Sequence, residues 1–283
     1  YEIADRDWSS DVCSSDLARG EVLKCALTCD YYADHVDEFL APKTVATEAK
    51  KSYVTYEPLG VIFAVMPWNF PYWQVIRFAA PSLAAGNAGL LKHASNVTGS
   101  ALAIQRAVER AGFPKGLFTT LVISDHSAVA RIVEDTRVAA VTLTGSEGAG
   151  AQVAEAAGRS LKKTVLELGG SDPFVVLGDA DVEAIAPFAV KARFINTGQS
   201  CLCAKRFIVE ENIIEDFETR VKALVENLVV GDPLDPNTQI GPLAKRAFVS
   251  DIHRQVQESI KMGARLVTGG HPIEGKGNYY APT

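Results

Sequence analysis

The chain has 283 residues, 47% hydrophobic and 22% charged, with a formal net charge of -6 and a mean hydropathy of +0.07. That balance can bury one or two cores and excludes a disordered, collagen-like or disulfide-scaffold protein. Apolar stretches such as residues 60–67 fall short of the roughly 18–20 that a membrane-spanning helix needs, and no basic-apolar leader opens the sequence, so a cytoplasmic protein with no membrane partner is expected.

In chain order, residues 7–17 come first. Their sequence, DWSSDVCSSDL, lacks helix or strand periodicity and back-translates without a break into a common sequencing-library adapter. The segment 1–17 is therefore set aside as non-native, a Ser-rich native arm being the alternative. It holds five acids against one arginine, so the other 266 residues carry only -2. That near-balance, without a basic stripe, argues against a nucleic-acid partner. Cys25 and Cys29 follow at helical spacing and are expected in a core. With Cys13, Cys201 and Cys203 they make an odd, clustered set of five, which points to reduced thiols.

Residues 43–56 alternate β-formers with polar side chains, as an exposed antiparallel ribbon does; such a ribbon either meets a neighbouring chain or is an ordinary hairpin. Strand-length apolar runs are then expected at 61–65, 88–91, 117–123, 138–143, 164–168, 174–177 and 205–209, alternating with helical stretches. This is the pattern of an α/β protein with a largely parallel sheet. Residues 213–229 place Phe217, Val221, Leu224 and Leu228 on one helical stripe, and residues 243–262 do the same with Val249, Ile252, Val256 and Ile260, ending at Gly263.

Four segments put reactive or Gly-rich residues at strand ends. In FINTGQSCLC, Cys201 follows a Gly-Gln-Ser turn, where backbone N–H groups favour a nucleophilic thiolate; a buried inert Cys is the alternative. In PWNFP, two prolines stiffen a turn from which Asn69 can present an amide donor; a plain turn-forming Asn is the alternative. In LELGGSDP, Glu167 near the end of an apolar strand would be partly desolvated and suited to general-base work, or else be paired with an Arg or Lys. VTLTGSEGAG reads as strand, turn and helix start, a phosphate site without the complete G-x-G-x-x-G spacing. A thiol, an amide donor, a carboxylate and a phosphate turn are together the parts for covalent carbonyl oxidation with a nicotinamide acceptor.

PWNFP, LLKHAS, TGSEGAG, ELGGSDP and FINTGQSCLCAKR resemble, in order and approximate spacing, the motifs of the aldehyde dehydrogenase superfamily, and most of all its bacterial NAD(P)-dependent succinate-semialdehyde dehydrogenases. The resemblance runs from Gly20 to Thr283. It implies a Rossmann-type cofactor domain over 18–168, an oligomerisation ribbon at about 43–57, a catalytic α/β domain over 169–283 and assembly into a homo-oligomer. It makes Cys201 the nucleophile, Asn69 with the Cys201 N–H the oxyanion donors, and Glu167 the base that activates the hydrolytic water. Trp68, Lys92, Ser95, Gly145, Ser146 and Leu168 fall on cofactor-binding positions. Relatives that prefer NAD carry a Glu three residues after Lys92; here the residue is Ser95, so NADP is expected at least as readily as NAD.

Arg77 resembles the arginine that anchors the substrate carboxylate in succinate-semialdehyde enzymes, which belong to 4-aminobutyrate breakdown. A second arginine of some relatives is replaced by Ile195, leaving room for glutarate semialdehyde or an uncharged aldehyde. Gln199 is expected to shape its turn. Cys203 would share a face with Cys201 if that stretch is extended, either as a redox partner or as packing. His35, His93, His126, His253 and His271 show no metal-ligand spacing, and no metal is expected. By the same resemblance the chain is an interior piece, incomplete at the end of its catalytic domain, and expected to be poorly folded or inactive alone.

Overall fold

The computed structural model describes residues 14–125 and 127–283. Cys13, His126 and residues 7–13 of the adapter-like run lie outside the described residues. Residues 14–17 of that run, read above as aperiodic, belong instead to the first helix, α1 (Ser14–Leu40). Asp16 in its first turn opposes the positive end of the helix dipole. The chain divides into two units, Gly20–Gly169 and Gly170–Thr283, the second with the described residues before Gly20.

In the first unit, β3 (Val61–Met66), β4 (Ala88–His93), β5 (Phe118–Thr120), β6 (Val138–Thr144) and β7 (Lys163–Glu167) form one parallel sheet. Its order is β5-β4-β3-β6-β7. From central β3 the chain winds outward through β4 and β5, then crosses back to β6 and β7, so the order reverses between β3 and β6. Helices cover both faces. Ala64, Met66 and Leu91 pack with α2 (Trp73–Ala84) and α3 (Thr98–Arg110), whereas Phe63, Val141 and Leu143 pack with α4 (Ser127–Glu134) and α5 (Glu147–Arg159). Phe63 and Ala64 are adjacent yet both fully buried, because successive strand side chains enter opposite faces.

Gly89 in β4 marks a close approach. A methyl there would lie 2.6 Å from Cδ2 of the buried Phe118. Gly89→Ala is expected to destabilise the protein by about 1–3 kcal/mol, read as a lower thermal midpoint; an unchanged midpoint would mean that Phe118 moves aside.

β5 is shorter than the expected 117–123. The Leu121 N–H still bonds Leu91 O (2.7 Å), but Asp125 then turns the chain by accepting the Ser127 N–H (2.8 Å) at the start of α4. The ribbon is present as two short exposed strands, β1 (Lys43–Thr44) and antiparallel β2 (Tyr53–Val54).

In the second unit, β8 (Asp172–Val176) pairs parallel with β9 (Ala204–Val209) beside α6 (Val182–Phe194) and α7 (Ile214–Glu226). Val176, Val182, Ala189 and Phe217 are its core. Asp181 caps α6 by accepting the Ala184 N–H (3.1 Å). The last helix, α8 (Arg246–Lys261), starts later than expected because the Leu243 N–H bonds Asn278 O (2.9 Å). Its expected stripe is half-buried at Val249, Ile252 and Val256 and exposed at Ile260, and Gly263 (φ 100°) ends it. No helix among the described residues is long and apolar enough to cross a membrane.

Candidate active site

The residues singled out in the first unit converge on one edge of its sheet. Trp68 and Asn69 follow β3, Lys92 and Ser95 lie at the end of β4 and just beyond it, Gly145 and Ser146 follow β6, and Glu167 ends β7. This is the carboxyl edge of a parallel sheet at its topological switch point, where doubly wound folds bind dinucleotides.

The segment after β6 has the turn and helix start that the sequence suggests. The Gly145 N–H bonds Glu167 O (3.0 Å), tying β6 to β7 beyond their last paired residues. Ser146 is the N-cap of α5, its Oγ accepting the Ala149 N–H (3.3 Å). The first-turn amides and helix dipole of α5 suit a pyrophosphate. Leu168 lies so close to Gly150 of α5 that a methyl there would be 2.6 Å from Leu168 Cδ2, which explains the small residue. Lys92 is buried and Ser95 exposed.

Asn69 Oδ1 accepts the N–H of Phe70 (3.1 Å), which turns the carbonyl end of its amide onto the backbone. The turn has unusual support. Pro71 O lies 2.9 Å from His93 Nε2, and the N–H groups of Tyr72 and Trp73 both donate to Glu21 Oε1 at 2.7 Å. Tyr72, the N-cap of α2, offers no side-chain cap, so Glu21 of α1 supplies it from outside. Burial is the main influence on both groups, raising the Glu21 carboxyl above the usual carboxylate range and pushing the His93 imidazole below its usual value. Glu21 carries no local sequence signal, and His93 was read above only as a non-ligand.

Glu167 corrects one expectation. β7 is an exposed strand rather than a desolvated one, and the Glu167 side chain is 55% exposed. Its carboxylate faces Arg77, with Nη1 3.6 Å from Oε2, while Arg77 Nη2 donates to Thr144 Oγ1 (3.1 Å). The predicted base and the predicted substrate anchor are thus partners. They line a cavity of about 390 Å³ with Met66, Phe78 and Gln74. The buried Gln74 Oε1 has no hydrogen-bond partner among the described residues.

In the second unit, Cys201 is half-buried in the turn between α6 and β9, and Lys205 Nζ donates to its carbonyl (3.0 Å). Asn196 (φ 53°), Thr197 (φ 56°) and Gly198 (φ 73°) are consecutively left-handed, a costly conformation for β-branched Thr197. Gln199 braces this segment: its Nε2 donates to Asn196 O (3.2 Å) and its Oε1 accepts the Ala244 N–H (3.0 Å). The extended geometry on which a shared face of Cys201 and Cys203 depends is absent. The residues form a turn, and Cys203 is fully buried with Sγ 3.7 Å from Ile195 O, an arrangement that suits packing rather than a resolving thiol. Cys25 is buried on α1, but Cys29 is exposed rather than in a core. Among the described residues no group of three or more His, Cys, Asp or Glu could hold a metal ion.

Strand order and the reversal between β3 and β6 define a doubly wound, Rossmann-like α/β unit. The chain belongs to the aldehyde dehydrogenase family, whose model matches residues 13–283. It is 51% identical over 269 residues to a succinate-semialdehyde dehydrogenase [NADP(+)] of Mycobacterium avium, and 48% identical over 266 residues to a succinate semialdehyde dehydrogenase [NAD(P)+] of Escherichia coli. Each match covers 94% of this chain and 57% of the relative, so the chain spans little more than half the length of those proteins. Among solved structures, succinic semialdehyde dehydrogenase from Streptococcus pyogenes in complex with NADP+ superimposes with a TM-score of 0.90 at 41% identity, over 93% of this chain and 58% of that one.

Proposed function

We propose that the protein of which this chain is part oxidises an aldehyde to a carboxylic acid with NADP or NAD, succinate semialdehyde being the favoured substrate. The observation that carries the reading is the convergence of Asn69, Lys92, Gly145, Ser146 and Glu167 on one sheet edge at the switch point. Gly20–Gly169 is the cofactor unit, and Gly170–Thr283 contributes the nucleophile.

Cys201 attacks the aldehyde carbon as thiolate, and the oxygen that gains charge meets the Asn69 amide and the Cys201 N–H, giving a thiohemiacetal. Trp68, Lys92, Ser95, Gly145, Ser146 and Leu168 hold the dinucleotide, for which the capped start of α5 beside Gly145 is a fitting pyrophosphate cradle. When bound, the oxidised nicotinamide supplies the two-electron acceptor that takes the thiohemiacetal to a thioester. Glu167 removes a proton from water, the hydroxide equivalent attacks the thioester, and the acid leaves as Cys201 regains its thiolate.

Substrate choice turns on Arg77. To bind a substrate carboxylate it must share or leave Glu167, so Arg77→Leu should raise KM for succinate semialdehyde far more than for butanal, while perturbing kcat for both. Equal KM effects would remove the anchoring role and favour an uncharged aldehyde, the reading to which Ile195 and the occupied Arg77 also lend support.

The deciding assay is reduction of NADP and NAD by the full-length protein with succinate semialdehyde, glutarate semialdehyde and butanal. We expect kcat/KM with NADP to equal or exceed that with NAD, because Ser95 offers no carboxylate to repel a 2′-phosphate. A strong NAD preference would overturn the Ser95 argument, and no activity with any aldehyde would favour a non-catalytic relative. Four unpaired thiols among the described residues fit a reducing cytoplasm, and the exposed β1–β2 ribbon offers an edge on which a homo-oligomer can be built.

A further inference from the structure

We propose that Glu21 and His93 are positioning residues that clamp a single peptide group, Pro71–Tyr72, and thereby hold the Asn69 amide in its working orientation. The proposal rests on Asn69 being an oxyanion donor, as proposed above.

The geometry is specific. The C=O of this peptide belongs to Pro71 and meets His93 Nε2 at 2.9 Å, whereas its N–H belongs to Tyr72 and meets Glu21 Oε1 at 2.7 Å. One peptide plane is therefore gripped at both ends, by side chains from β4 and α1. Glu21 also takes the Trp73 N–H (2.7 Å), fixing the first turn of α2, and Lys24 sits over the Trp73 ring, 3.8 Å from its centroid. His93 reaches the other end of the loop too. Its Nδ1 lies 3.0 Å from the Ala94 nitrogen, whose N–H also meets Met66 O (3.0 Å), so the imidazole reaches the base of the five residues from Pro67 to Pro71 through that amide.

Chemistry assigns the proton. Pro71 O can only accept, so Nε2 carries the hydrogen, and in the neutral ring Nδ1 is left to accept from Ala94 N–H. Both groups are buried, Glu21 at 8% and His93 at 5% exposure, so neither bond competes with bulk water.

The clamp acts on Asn69 through few free torsions. Between Asn69 and the gripped peptide stand only Phe70 and Pro71. The Pro71 ring locks its own φ, and the Phe70 N–H is held by Asn69 Oδ1 (3.1 Å). With the 71–72 peptide gripped, Pro71 ψ is fixed as well as its φ; releasing the grip frees that torsion and leaves the turn that carries Asn69 anchored at one end fewer. Oxyanion donors work only when preorganised, and a misplacement of about 1 Å from a remote substitution can cost up to about 100-fold in rate.

A double-mutant cycle in the full-length protein tests this. Glu21→Leu and His93→Leu should each lower the rate of the first-turnover burst at saturating NADP roughly 10- to 100-fold. Glu21→Gln, whose amide oxygen can still accept both N–H groups, should restore the burst, and it serves as the folded control if Glu21→Leu does not accumulate. Asn69→Ala should lose about 100- to 1000-fold, and in that background Glu21→Leu, or His93→Leu in its place, should cost little more. Equal losses with and without Asn69, or a failure of Glu21→Gln to restore the burst, would overturn the clamp while leaving Asn69 as oxyanion donor. An Asn69→Ala protein as active as the parent would overturn the oxyanion assignment, and the clamp with it.

Discussion

Cys201→Ala is expected to lower aldehyde oxidation by on the order of 10⁴-fold or more, with NADP affinity retained. The size of the effect follows from the absence of a substitute among the described thiols. Cys203, two residues on, is fully buried with its sulfur directed at Ile195 O, so it cannot reach a substrate without unfolding the turn. Cys25 is buried on α1, and burial, reinforced by the Glu21 charge, pushes its thiol up to about 12, which leaves it without a thiolate at neutral pH. Cys29 is exposed on α1, and burial of part of its side chain with the neighbouring Asp30 charge raises its thiol above the ordinary value, away from a thiolate. The alanine variant of the full-length protein, assayed with succinate semialdehyde and NADP, should therefore show neither burst nor turnover. More than a trace of burst would mean that the carbonyl is not attacked by Cys201, and the covalent scheme would fall.

The parts of the fold that could be read from sequence are those in which one residue run answers to one environment. β3, VIFAVM, is apolar throughout because both of its faces are covered, and β6 is legible for the same reason. The turn between β6 and α5 is legible because Gly145 and the Ser146 cap each do a local job. What escaped depends on neighbours distant in sequence. Nothing near Glu21 indicates that it caps α2, and LLKHAS does not announce that its histidine spans PWNFP. Glu167 ends an apolar run, which suggests burial, yet β7 lies at the edge of the sheet and the carboxylate has both solvent and Arg77 beside it. At Cys201 the turn was legible, but what holds it was not. Asn and Gly readily turn left-handed, but Thr197 is held there by Gln199 and the Gly241–Ala244 segment, partners that the run FINTGQSCLC does not announce.

Glu167→Gln should separate the two halves of the reaction. Glutamine preserves the shape of the side chain and can still meet Arg77 through its amide oxygen, while Arg77 keeps its bond to Thr144 Oγ1 (3.1 Å), so the carboxyl edge of β6 and β7 should stay intact. What is lost is a group able to take a proton from water. Formation of the thioester needs the thiolate and the oxyanion donors, not this carboxylate, so a first burst of about one reduced nicotinamide per Cys201 should survive. Hydrolysis of the thioester needs an activated water, and the steady state after the burst should fall by roughly 10²–10⁴-fold, the usual worth of a general base. The exposure of Glu167 agrees with this division, since a carboxylate in contact with solvent has its co-reactant at hand. Stopped-flow absorbance of the reduced cofactor reads both phases in one trace. If burst and steady state decline together, Glu167 acts before the thioester forms, most directly by activating Cys201. If neither declines, its place is purely beside Arg77, and the base must be sought elsewhere on the sheet edge.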